Sequence, residues 1–221
     1  MHSIHGLPVA ISLEEACGRG RLALLIYDMQ VGICSQVSCG PAITEACRRL
    51  RDHCRAAGVP VAYSRHLSLP VHWMGASQTR TAMAWQRVDN PASVKPWFLR
   101  DTAGFELAAE LTPRDDEFVF DKLAMSAFEG TPLQFALRDR GITTLAICGI
   151  ALEIGIEPTV RHAADLGIVP VLIADACGAG SEEAGQRTLD QLRFIGDAMM
   201  TNEAAFCAAL NGAPSETSLS A

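Results

Sequence analysis

The chain has 221 residues, 49% hydrophobic and 19% charged, a length and balance that can bury a substantial apolar core and exclude a disordered or low-complexity scaffold. Eighteen Lys and Arg against 25 Asp and Glu leave a formal charge of −7, and no basic cluster is long enough to track a phosphate backbone, so nucleic acid is not expected as a partner. Met1 to Gly20 carries no basic segment followed by an apolar one, and no apolar run reaches spanning length, which predicts a cytoplasmic protein with no membrane partner.

Taken in chain order, Arg21 to Met29 (RLALLIYDM) is an apolar run ending in an acid, the pattern of a strand buried on both faces that leads to a site at its C-terminal edge. Pro41 to Ala57 spaces Ile43, Ala46, Leu50 and Cys54 as a helix would, with Gly58 as its stop. Val59 to His66 and Glu117 to Lys122 read as the second and third strands. Between them Leu67 to Thr112, rich in Trp, Pro, Met and Gln, shows little period and reads as a long excursion over the strand ends. Thr131 to Arg140 is a helix, Thr143 to Cys148 a strand, Ile154 to Leu166 a helix and Ile168 to Ala174 a strand. Glu182 to Phe194 supplies another helix, Ala198 to Thr201 a short sixth strand and Glu203 to Leu210 a last helix. Such alternation predicts a three-layer α/β/α sandwich around a six-stranded parallel sheet, Rossmann-like, because parallel strands need crossovers. Residues 1–212 form one domain in this reading, and residues 213–221 a flexible tail.

Eight cysteines are scattered without a CxxC pair, so reduced thiols are expected and neither a disulfide framework nor a zinc site is predicted. In a doubly wound sheet ligands lie outside the carboxyl ends of the strands. Asp28, Lys122 and the turn from Gly149 to Gly155 therefore qualify by position. Taken alone, a strand-end Asp is more often a cap or ion-pair partner than a catalyst, and a strand-end Lys more often a solvated surface residue; together they could transfer protons and stabilise negative charge.

Three blocks carry more than position: ALLIYDMQ (Ala23 to Gln30), VFDKLAMSAFEGTPL (Val119 to Leu133), and GIALEIGIEPTVRHAADLG (Gly149 to Gly167) with VLIADACG (Val171 to Gly178). In order, wording and spacing they resemble the isochorismatase-like cysteine hydrolases over most of Arg21 to Arg193. The resemblance implies the isochorismatase-like fold and a triad of Asp, Lys and Cys, whose first two members fall on Asp28 and Lys122. Where that family typically places its cysteine, this chain has Gly155. The thioester route is then closed, and Cys148 and Cys177, as substitute nucleophiles for an amidase, read better as small apolar filler. The true isochorismatases resemble this chain in carrying glycine at that position beside the Asp and Lys; their chemistry needs no nucleophile, since an acid protonates a vinyl ether and water attacks the resulting cation. By that resemblance Asp28 would be the acid, although an ammonium on Lys122 favours the charged carboxylate.

Around these three residues, Gln30, Ala151, Leu152, Glu153, Phe128 and Trp85 are expected to bind substrate. Within the pocket Glu153 could serve as a base for water or repel an anion such as isochorismate, and it could equally pair with a basic residue such as Arg161. Trp73, Gln86, Arg87, Trp97 and Arg100 of the excursion are further candidates for substrate or subunit contacts. The resemblance also implies a homo-oligomer, dimer or tetramer, and a cis peptide between Ala151 and Leu152. No metal and no cofactor are expected, although His66 and His72 lie near the mouth. The expected function is hydrolysis of a small molecule, with vinyl ether cleavage favoured. The alternative is a silenced member of the family that binds a metabolite or protein partner at the old pocket.

Overall fold

The computed structural model describes residues 2–18 and 20–212. It opens on a short antiparallel hairpin, β1 (His2–Ile4) and β2 (Leu7–Val9). His5 and Gly6, at φ +52° and +81°, make its two-residue turn, where positive φ at both central positions matches the twist of the strands. Strands of three residues carry no readable period, so this hairpin was not predicted.

A four-residue helix, α1 (Leu13–Ala16), follows, with Ser12 Oγ accepting from the Glu15 N–H. Then come β3 (Leu22–Tyr27), α2 (Val31–Cys34), α3 (Gly40–Ala56), β4 (Val61–His66), α4 (Ala76–Gln86), β5 (Phe118–Lys122), α5 (Leu133–Asp139) and β6 (Thr144–Ile150). A wide π-turn over Leu152–Ile156 leads into α6 (Glu157–Asp165), followed by β7 (Val169–Gly178), α7 (Glu182–Ile195), β8 (Met199–Thr201) and α8 (Glu203–Gly212). The six strands from β3 onward form one parallel sheet in the order β5-β4-β3-β6-β7-β8. The predicted α/β/α sandwich is thus observed, and its strand order reverses between β3 and β6, the place where such sheets bind ligands.

All six residues of β3 are buried, and they alternate between two cores. Leu22, Leu24 and Ile26 pack with Ile43, Cys47 and Leu50 of α3 and with Phe206 of α8. Ala23, Leu25 and Tyr27 face Leu133 of α5, Val160 of α6 and Leu192 of α7. A fully buried leucine contributes about 1.5–3 kcal/mol, so the apolar run itself holds the strand between two helical layers.

Several boundaries differ from the expectations. The excursion contains α4, which buries none of its residues and so has no apolar stripe to read. The strand expected over Thr143 to Cys148 runs on to Ile150, and the next reaches Gly178. The helix expected from Ile154 starts with the π-turn. The non-proline cis peptide lies between Ile150 and Ala151 rather than between Ala151 and Leu152. The tail expected over residues 213–221 lies outside the described residues.

Candidate active site

β3 stops at Tyr27 because Asp28 takes φ +47°, a left-handed conformation that Asp tolerates better than most side chains. Its N–H stays tied to the neighbouring strand, donating to Ser64 O at 3.2 Å. The carboxylate then meets groups from the next two strands. Ser64 Oγ, from β4, donates to Asp28 Oδ1 at 2.6 Å, and Lys122 Nζ, from β5, lies 2.7 Å from Asp28 Oδ2. Lys122 also donates to Ala124 O at 3.1 Å and places Nζ 4.4 Å from the centroid of the Tyr27 ring. Asp28 and Lys122 are both buried, so each charge depends on the other.

Tyr27 was not among the residues expected at the site. Its side chain leaves β3 toward α6, and its hydroxyl donates to Met125 O. Burial, reinforced by the Asp28 carboxylate beside it, pushes the phenol well above its ordinary value, so the hydroxyl keeps its proton. The ring lies against Gly155. A Cβ built on that glycine would stand 1.9 Å from Tyr27 Oη and 2.5 Å from Cζ. The volume a side chain at residue 155 would need is therefore occupied by the phenol. Gly149 is held to glycine by a similar approach, with φ +128° and Tyr27 O 2.2 Å from the position of a Cβ.

These groups border a cavity of about 240 Å³. Tyr27, Asp28, Ala151 and Gly155 border it together with the apolar Ile150 and Met125, and His66, Trp85, Trp97 and Phe98 add an aromatic wall. Among the described residues no Lys or Arg lines it. The His66 ring is edge-on to Phe98, with centroids 5.8 Å apart, and to Trp85 at 6.4 Å.

Burial above all, with help from the Lys122 ammonium, lowers the His66 pKa from 6.5 to about 4, against the opposing pull of Asp28. The imidazole is neutral at pH 7. Between those two values the unfolded chain binds a proton that the folded chain refuses. The stability so contributed is full above about pH 6.5 and is lost as pH falls through about 4. A drop from 6.5 to about 4 corresponds to about 3 kcal/mol. Urea denaturation of wild type and His66→Asn from pH 7 to 4 is expected to show a shallower acid loss in the variant, and parallel curves would contradict this assignment.

The expected substrate-binding residues divide. Ala151 and Trp85 border the cavity, as does Trp97 of the excursion. Gln30 does not: it is fully buried, with Oε1 accepting from His66 N at 2.6 Å and Nε2 donating to His66 O at 3.1 Å and Phe105 O at 2.9 Å. Its amide completes backbone pairing at the strand end. Leu152 and Phe128 belong to the core shared with α6, Phe128 lying 5.4 Å from the His162 ring. Glu153 turns toward α7, where Oε1 accepts from Gly180 N at 2.8 Å and Ser181 N at 3.1 Å, satisfying donors at a helix start. Arg161, offered as its partner, pairs with Glu157 at 2.8 Å. Gln86 bonds both backbone groups of Lys95, and Arg100 pairs with Asp121. Trp73 is 78% exposed.

The sulfurs of Cys148 and Cys177 face the carbonyls of Leu25 and Ile147 inside the sheet. Cys148 is raised well above an ordinary thiol by its contact with Cys47 and by burial, and Cys177 by burial first. Among the described residues no cysteine borders the cavity, and no group of three or more His, Cys, Asp and Glu could hold a metal ion. No described helix is long and apolar enough to cross a membrane.

A doubly wound parallel sheet with a buried Asp–Lys pair and a small cavity at its switch point defines an α/β protein with a ligand site at the strand ends. The chain belongs to the isochorismatase family: the Isochorismatase domain matches residues 22–204. It is 32% identical to the uncharacterized isochorismatase family protein YecD of Escherichia coli O157:H7 over 174 residues, covering 77% of this chain and 86% of that protein. It is 30% identical to the ureidoacrylate amidohydrolase RutB of Methylobacterium radiotolerans over 188 residues, 80% of this chain and 69% of that one. Its fold is similar to an isochorismatase family protein from Burkholderia thailandensis with a TM-score of 0.73 and 28% identity, covering 87% of this chain and 97% of that chain. The chain is an isochorismatase-family hydrolase.

Proposed function

We propose that this hydrolase acts without a covalent enzyme intermediate, using Asp28 and Lys122 to protonate and hydrolyse a small, neutral, largely apolar vinyl ether. The observation that carries this reading is the Tyr27 phenol in the volume of a residue-155 side chain. By the family resemblance, position 155 is where a nucleophilic cysteine would stand. Here neither a thiol nor the room for one is present beside Asp28.

The buried pair holds one transferable proton on the 2.7 Å contact between Lys122 Nζ and Asp28 Oδ2. Passed from the Lys122 ammonium through Asp28 to the vinyl carbon, it forms a C–H bond and leaves a neutral Lys122 amine and an oxocarbenium ion, which the regenerated carboxylate stabilises. Water then adds to the cation and returns a proton through Asp28 to Lys122, and the hemiketal breaks its C–O bond as its hydroxyl proton passes to the departing oxygen, giving a carbonyl compound and an alcohol. The aromatic wall offers apolar contact. Isochorismate, with two carboxylates, would find no cation in the lining of this inner cavity, since Lys122 is committed to Asp28 and Lys95 lines the adjoining space beyond the aromatic wall. That favours a neutral substrate.

One feature favours the silenced alternative: both Asp28 oxygens already accept bonds within the protein. Wild type and Asp28→Asn, incubated with phenyl vinyl ether, other neutral vinyl ethers, isochorismate, nicotinamide and ureidoacrylate, separate the readings by product mass spectrometry. Carbonyl and alcohol release that disappears in the variant supports this proposal. Turnover of amides instead, or vinyl ether turnover unchanged in Asp28→Asn, overturns it. No turnover, with saturable thermal stabilisation by a panel compound, selects the binding alternative.

A further inference from the structure

If hydrolysis proceeds without an enzyme nucleophile, water must be held where it can attack, and the group that holds it must border the cavity beside Asp28. Tyr27 borders that cavity together with Asp28. Its hydroxyl has one hydrogen, and that hydrogen is donated to Met125 O. A phenolic oxygen can still accept, so what Oη has left for the cavity is acceptor capacity. The oxygen also stands in the side-chain volume of residue 155, the place from which a protein nucleophile would have acted.

We infer that Tyr27 positions the hydrolytic water, which donates one hydrogen bond to Oη and directs a lone pair at the substrate carbon held above Asp28. The inference rests on the nucleophile-free reading above. The atoms balance without any change in the phenol: the water oxygen forms the new C–O bond, one of its O–H bonds breaks, and the proton goes to the Asp28 carboxylate that had given one to the substrate. Tyr27 keeps its own proton throughout, consistent with the burial that holds the phenol protonated. It is a positioning residue, acting through the water. The fixed bond to Met125 O, the packing against Gly155 and the Lys122 ammonium over the ring hold the acceptor in place.

Tyr27→Phe tests this, since it keeps the ring and removes only Oη. High-resolution crystal structures of both proteins are expected to show a water within hydrogen-bond distance of Oη in wild type and no water at that place in the variant, with the fold and the Asp28–Lys122 contact unchanged. With phenyl vinyl ether, kcat should fall about 10²-fold, the order expected when a reacting group is misplaced, while KM changes little. The absence of a water at Oη in wild type, or the same water and the same kcat in Tyr27→Phe, would overturn the inference. Failure of the two readings is distinguishable: a fully active Asp28→Asn sinks the hydrolysis mechanism, whereas an inactive Asp28→Asn beside a fully active Tyr27→Phe sinks only the role of Tyr27. If phenyl vinyl ether is not turned over, the comparison uses another neutral vinyl ether of the panel that is, and turnover of none of them overturns the inference together with the reading it rests on.

Discussion

Asp28→Asn is expected to lower kcat/KM by about 10³-fold or more, the upper part of the range for loss of a general acid, and to destabilise the fold as well. The second effect follows from burial. Lys122 has a wholly buried side chain and its counter-charge 2.7 Å away, and removing one partner of a buried ion pair costs about 3–5 kcal/mol. A lower melting temperature in the single variant would therefore not by itself separate catalysis from folding. Pairing Asp28→Asn with Lys122→Met removes both charges, and much of the stability should return while activity does not. Activity that recovered together with stability would show that Asp28 has only a structural role.

Gly155→Cys is the second large effect, and its sign is counterintuitive. Restoring the side chain that the family resemblance places there should damage this protein, because its Cβ would collide with Tyr27 Oη and Cζ. Both atoms sit on a buried ring tied to Met125 O, so relief requires the whole side chain to move. Overpacking of this kind costs about 1–3 kcal/mol, sometimes more. Tyr27→Ala by itself opens a cavity at a cost of about 3–5 kcal/mol. In the double variant the new thiol falls into the vacated volume, so the two losses should be non-additive by at least about 1 kcal/mol. Denaturation of the four proteins measures this coupling. Additive losses would mean that the phenol and residue 155 do not compete for one space.

Much of the fold was legible because the central strands are buried on both faces and therefore read as continuous apolar runs, β3 most plainly. The α3 stripe was legible for the complementary reason, with one face packed and the other solvated. Helix α4 escaped because it packs no residue into the core, leaving propensity without period. The meeting of Asp28, Lys122 and Gly155 at one sheet edge followed from strand-end positions together with the family wording.

Residues chosen for polarity fared differently. Gln30 and Glu153 carry side chains suited to a substrate, but each is bound to backbone groups at the end of an element, a demand that appears only once the chain is folded. Tyr27 was hidden in the opposite way. Inside LALLIYD an aromatic residue reads as core, and its partner Gly155 is 128 positions away. Its signal was the bulky hydroxyl-bearing residue directly before the acid in a chain with no side chain at residue 155, and only a through-space contact joins the two.

The most direct test of the nucleophile-free mechanism is intact-protein mass spectrometry of wild type, acid-quenched at short times during incubation with each compound of the substrate panel. The unmodified protein mass at every time, with product accumulating from a neutral vinyl ether, is the predicted result. A mass increase equal to a substrate fragment, located on Cys148, Cys177 or any other side chain, would contradict it.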